Sequence, residues 1–189
     1  MDIEDTTEVT ALESIIQRAK SGNNEAFTAL YELYVTPLYR YIFFRVSDPR
    51  DAEDLTQEVF LKAYVALSRY VSNGTPILAY FYTIARNSII DHYRKKKERY
   101  VDTALFDTIA DESPLPNELA SNRKNLLQLR KDISVLAQDQ QDAITLRYLD
   151  EFDTTEIAKI MNRSPESVRQ LQSRGLKILR DSLNKKQYE

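Results

Sequence analysis

Glycine and proline are scarce in this chain, with only three and six in 189 residues. The long stretches between them are rich in Ala, Leu, Glu, Gln, Lys and Arg. Strand-rich folds need frequent turns, and these residues favour helix, so the chain reads as all-α. It contains no cysteine, which excludes disulfide scaffolds and thiolate metal sites. No apolar run approaches the roughly 18 residues of a membrane helix, and Met1–Glu8 is acidic, unlike a signal peptide. A cytoplasmic protein that inserts into no membrane is therefore expected. The net charge of −3 points away from a nucleic-acid binder, but the basic residues are clustered, and distribution outweighs the average.

Apolar periodicity predicts a first helix over about Glu8–Lys20, closed by Ser21-Gly22-Asn23-Asn24. A second runs over about Glu25–Val46, with a kink expected at Pro37. Ser47-Asp48-Pro49 caps a third over about Asp51–Ser68, whose first turn holds Asp51, Glu53 and Asp54 at the positive end of the helix dipole. Ser72-Asn73-Gly74-Thr75-Pro76 is a turn, and a fourth helix follows from about Ile77 to Arg99. Composition then shifts. Tyr100–Leu119 holds Asp102, Asp107, Asp111, Glu112 and Glu118, two prolines and no Lys or Arg, as an acidic flexible linker would. Helical pattern resumes near Leu119 and continues to Leu183. The expected organisation is two small helical domains, 1–99 and 119–189, joined by the linker 100–118.

Within the second domain, Asp153–Met161 reads as a short capped helix and Asn162-Arg163-Ser164 as a turn. Ser164-Pro165-Glu166 then starts another helix, with Ser as N-cap and Pro in the first turn. Val168, Leu171, Gly175 and Ile178 fall on one stripe of it, and Arg169, Gln170, Ser173, Arg174 and Lys177 on the other. A scaffold helix, a tight turn and an exposed polar-basic helix is the helix-turn-helix layout for major-groove reading. Arg pairs bidentately with guanine and Gln with adenine. The rival reading is a helical hairpin with a solvated basic face.

The third helix gathers Asp51, Asp54, Gln57, Glu58 and Leu61 at helical spacings, either a solvated stripe or a docking face for a basic partner. No histidine stands at a useful spacing from these carboxylates, so no catalytic site is expected. The fourth helix interleaves Tyr80, Phe81, Tyr82, Tyr93 and Tyr100 with Arg86, Asn87, Arg94 and Lys95. Aromatic and basic residues together suit single-stranded DNA, where bases stack and phosphates are neutralised. The rival reading places most of these aromatics in the core; Phe81 and the nearby Ile84 are expected to be buried, with the tyrosines divided between core and surface. His92, the one histidine, gives no metal site.

Over nearly its whole length the chain resembles bacterial RNA polymerase sigma factors of the extracytoplasmic-function (ECF) group. The resemblance rests on Gly22-Asn23-Asn24-Glu25-Ala26-Phe27, on Asp51-Ala52-Glu53-Asp54-Leu55-Thr56-Gln57-Glu58-Val59-Phe60, on Ile84-Ala85-Arg86-Asn87 with Asp91 and Arg94, and on Leu136–Leu183. It implies a non-enzymatic transcription initiation factor without cofactors. The first domain would resemble sigma region 2 and the second sigma region 4. Asp51, Asp54, Gln57, Glu58 and Leu61 would contact the coiled coil of the largest subunit of core RNA polymerase, and the second domain its flap region. Ser72, Asn73, Tyr82, Arg86, Asn87 and Arg94 would engage the minus-ten promoter DNA, with a base flipped into the loop 68–75. Ser164, Arg169, Gln170, Ser173, Arg174 and Lys177 would read the minus-35 element, and the linker carboxylates would imitate an RNA backbone. An anti-sigma factor is the further partner implied. The rival is a helix-turn-helix regulator that never enters polymerase. The chain departs from the family pattern at Tyr80, a frequent tryptophan position, at Leu171 and Leu176, where arginine is frequent, at Gln172, where an aliphatic is usual, and at Gly175, which replaces a frequent alanine.

Overall fold

A computed structural model describes residues 3–46, 48–72, 74–100 and 123–187. The acidic linker and Asn73 lie outside them. Every regular element among the described residues is helical. In chain order these are α1 (Ile3–Lys20), α2 (Asn24–Arg45), α3 (Pro49–Ala66), a 3-10 turn (Leu67–Arg69) and α4 (Ile77–Tyr100) in the first domain. The second holds α5 (Arg123–Ile133), α6 (Gln138–Tyr148), α7 (Thr154–Met161) and α8 (Pro165–Gln187).

Local chemistry sets the boundaries. α1 starts earlier than expected and ends at Lys20, with Gly22 in the turn after it at a φ of +86° that suits a residue without Cβ. The Asn23 side chain accepts from the Ala26 N–H at 2.8 Å and so caps α2, which continues through Pro37 as one helix. Asp48 accepts from the Arg50 N–H at 2.9 Å, so α3 begins at Pro49 rather than Asp51. The helical pattern read from Leu119 onward carries, besides the turn expected at 162–164, a break between α5 and α6 and another before α7.

The first domain packs α2, α3 and α4 around buried aromatics. Phe60 and Phe81 meet with centroids 5.4 Å apart, and Tyr34 and Phe81 at 5.7 Å. In the second domain Leu146, Ile157, Met161 and Val168 are buried. α8 crosses α6 at Gly175, where a Cβ would lie 3.1 Å from Ile144 Cγ1. The glycine that departs from the family pattern thus permits a close helix–helix approach.

The two domains are docked. Phe152 lies edge-on to Tyr82 with centroids 5.2 Å apart. The Arg130 guanidinium stands 4.5 Å over the Phe43 ring and donates to the Val46 carbonyl. Three further arginines of the first domain meet carboxylates of the second.

Candidate functional site

Three surfaces hold the residues singled out by sequence. The first is α3. Asp54 and Gln57 are exposed, and Leu61 is 65% exposed despite being apolar. Val65 (73%) and Tyr64 (45%) continue that ridge. Sequence reasoning missed both, although Val65 stands one helical turn beyond Leu61. Glu58 is held by Lys62 at 2.5 Å, and Lys62 also donates to the Ser88 hydroxyl at 2.9 Å. Asp51 turns towards α4, with His92 Nε2 at 3.3 Å and Lys96 Nζ at 3.9 Å. The face is therefore an apolar ridge flanked by carboxylates, and Asp51 lies at its edge.

The second surface is α4 with the turn before it. Asn87 is exposed, and Arg94 is exposed with Asp91 at 3.1 Å. Ser72 is exposed, while Asn73 falls outside the described residues. Tyr70 and Tyr80 pack with centroids 5.0 Å apart beside that turn. Phe81 is buried as expected, and Ile84 only half-buried. Tyr82 is fully buried between Tyr41 and Phe152, so in this arrangement it offers no face to a strand. Its hydroxyl pKa stands well above the ordinary 10.0, first through burial and then through the Asp150 carboxylate. Arg86 reaches Asp142 Oδ2 through Nε at 3.0 Å and Asp139 Oδ1 through Nη2 at 2.8 Å.

The third surface is the helix-turn-helix. Asp153 accepts from the N–H groups of Thr155 (2.6 Å) and Glu156 (2.8 Å), and Glu156 Oε2 accepts from the Asp153 N–H at 2.8 Å. This reciprocal capping box supports a helix of only eight residues. Asn162 ends it in the left-handed region at φ 51°, a conformation Asn tolerates better than most residues. Ser164 accepts from the Ser167 N–H at 3.2 Å and starts α8. Gln170, Ser173, Arg174 and Lys177 are exposed. Arg169 is exposed too, paired with Glu166 at 2.8 Å. Of the predicted inward stripe Val168 and Gly175 are buried and Leu171 half-buried, but Ile178 is exposed.

The sequence did not single out Arg40, Arg45, Asp139, Asp142 and Asp150, which bring the domains together. A signal was available: Arg45 interrupts the apolar run Tyr41–Val46, and an arginine in such a run needs a buried partner. The described residues include no group of His, Asp or Glu arranged to hold a metal, and no helix long and apolar enough to cross a membrane.

Residues 30–99 match the family model of sigma-70 region 2, and residues 126–179 that of sigma-70 region 4. The chain is 32% identical over 161 residues to the ECF RNA polymerase sigma factor SigX of Bacillus subtilis, covering 82% of each protein. It is 33% identical over 170 residues to the ECF RNA polymerase sigma factor BldN of Streptomyces coelicolor, covering 87% of this chain and 63% of BldN. It therefore spans less than two thirds of that relative. Among solved structures, the fold is similar to CnrH in complex with the cytosolic domain of CnrY. There the TM-score is 0.70 at 20% identity, over 90% of this chain and 95% of that one. It is also similar to the sigma factor RpoE in complex with the anti-sigma factor NepR from Bartonella quintana, with a TM-score of 0.70 at 22% identity, over 84% and 96% of the two chains.

Proposed function

The chain belongs to the ECF group of the sigma-70 family, and we propose that it is a transcription initiation factor that binds core RNA polymerase, directs it to promoters and assists their melting. The observation that carries this is the α3 ridge. An isolated DNA-binding regulator has no use for Leu61 and Val65 held in solvent between carboxylates, whereas a docking helix has. Asp51, Asp54, Gln57, Glu58 and Leu61 bind the coiled coil of the largest polymerase subunit, and Tyr64 and Val65 extend the apolar contact.

Ser72, Asn73, Tyr82, Arg86, Asn87 and Arg94 engage the minus-ten element. Ser164, Arg169, Gln170, Ser173, Arg174 and Lys177 read the minus-35 element from the major groove. Exposure of the α8 residues and of Asn87 and Arg94 supports this division; Tyr82 and Arg86 would need the domains to separate. No catalytic role falls to this chain, since phosphodiester formation belongs to the polymerase. It works in the cytoplasm, and an anti-sigma factor is a further partner, as for the structurally similar RpoE with NepR.

Capture of core polymerase by wild type and by the Asp54→Ala/Glu58→Ala variant tests the reading. Wild type retains the polymerase, and the variant loses at least about tenfold in affinity, or roughly 1.4 kcal/mol. Failure of wild type to bind core polymerase refutes the proposal.

A further inference from the structure

A row of polar side chains joins α4 to the docking helix α3. On α4, Ser88, His92 and Lys96 stand four residues apart and so share one face. On α3 they meet Lys62 and Asp51. Lys62 donates to the buried Ser88 hydroxyl at 2.9 Å while holding Glu58 at 2.5 Å. His92 Nε2 and Lys96 Nζ both approach Asp51 Oδ2, at 3.3 and 3.9 Å.

Of the three carboxylates assigned above to the polymerase coiled coil, Asp51 and Glu58 therefore already face cationic or ionisable groups of their own chain. Asp54 enters no ion pair among the described residues. A basic partner must draw Glu58 from Lys62, and Asp51 from Lys96 and His92. The two holds differ in kind. An ammonium keeps its charge across the physiological range, whereas an imidazole changes charge between about pH 5 and 8. The one histidine of the chain thus sits against a docking carboxylate.

The other groups around the ring are committed elsewhere. Tyr93 lies edge-on to it at 5.6 Å and donates its hydroxyl to the Arg45 carbonyl at 2.5 Å. Asp91 is engaged by Arg94 at 3.1 Å, and Asp48 accepts from the Arg50 N–H. Arg130 of α5 donates to the Val46 carbonyl.

We propose that His92 is a positioning residue for Asp51: once protonated, it holds that carboxylate against α4 and weakens the grip of α3 on core polymerase. This rests on the docking reading of α3. Protonation turns a contact between a neutral ring and an anion into an ion pair. A basic partner then meets a carboxylate that is already neutralised, and the imidazolium itself repels that partner. With the two side chains 22% and 30% exposed, solvent screening limits the effect to about 2- to 5-fold in affinity.

Binding of untagged full-length wild type, His92→Gln and His92→Lys to core polymerase is compared at about pH 8 and about pH 6. His92→Gln carries whatever pH dependence the polymerase itself brings. Relative to it, wild type should lose about 2- to 5-fold in affinity at the lower pH. His92→Lys should bind as weakly at the higher pH as wild type does at the lower. In wild type the affinity step should also share its midpoint with the NMR shift of the single histidine C2 proton. That coincidence decides if a variant fails to fold. Equal pH profiles in wild type and His92→Gln overturn the proposal, as does tight binding by His92→Lys or a mismatch of the two midpoints. Any of these leaves polymerase docking itself intact. Wild type that binds core polymerase at neither pH sinks the docking reading, and the proposal with it.

Discussion

The Arg45–Asp142 pair allows a quantitative test of how the domains hold together. Both side chains are almost wholly out of solvent, at 1% and 2% exposure, and 2.8 Å apart. Asp142→Leu leaves the Arg45 charge buried and uncompensated, at about 3–5 kcal/mol, whereas Arg45→Met leaves Asp142 still paired with Arg86 at 3.0 Å and so costs less. Removing both takes both charges away. What remains is a Tyr41 hydroxyl without its acceptor, at about 1–3 kcal/mol, while Arg86 keeps Asp139. The sum of the single losses should therefore exceed the loss in the double variant by roughly 2 kcal/mol or more. A chain that instead separates its domains loses at most the docking free energy. That ceiling applies to every variant, so the cycle is non-additive by either route. Urea unfolding followed by circular dichroism and tyrosine fluorescence measures it. Losses that add to within about 0.5 kcal/mol would show that the two side chains are not coupled.

Three further outcomes are expected. Asp153→Ala removes the cap of α7 and should cost about 1–2 kcal/mol in urea unfolding, with Asp153→Ser recovering most of it; an unchanged midpoint would count against the capping box. Gly175→Leu drives a side chain into Ile144 and should cost about 1–3 kcal/mol and weaken binding to duplex DNA, whereas an unaltered unfolding midpoint would mean the helices have room to spare. Stability should fall at alkaline pH. Burial, reinforced by Asp142 for Tyr41 and by Asp150 for Tyr82, holds both hydroxyls well above the ordinary 10.0. The unfolded chain thus releases these protons first, so the stabilisation is complete below about pH 10 and is lost above it. Stability that stays level between about pH 9 and 11 would contradict that sign.

Much of this was legible in the sequence because it is local. Caps such as Asn23, Asp48 and Asp153 act within three residues of themselves, and the Ser164-Pro165 start of α8 follows the same logic. Contacts distant in sequence were not legible. Tyr82 was read as a strand contact because its neighbours Arg86 and Asn87 carry charge and amide. Its burial depends on Phe152, which no local pattern links to it. Arg86 was identified as an anion-binding residue, yet its carboxylate partners belong to the other domain. The docking face reads in sequence only as far as Leu61, because the acidic residues define the motif and Tyr64 and Val65 lie beyond them. Ile178 misled for a related reason: the stripe on α8 has helical period, but periodicity carries no information about what packs against each turn.

The composition of the domain interface bears on what it is for. A permanent interface of this kind would be built from apolar side chains, since burying an ion pair gains little net stability once desolvation is charged against it. Here Phe152 and Phe43 supply the apolar part, while Arg40, Arg45, Arg86, Asp139, Asp142 and Asp150 supply much of the rest. Such a cluster fixes the relative placement of the domains, because each guanidinium must meet its own carboxylate, yet it contributes only modest affinity. Water would rehydrate those charges on separation. An interface specific in register and weak in net free energy would let the two domains close in one arrangement and still come apart.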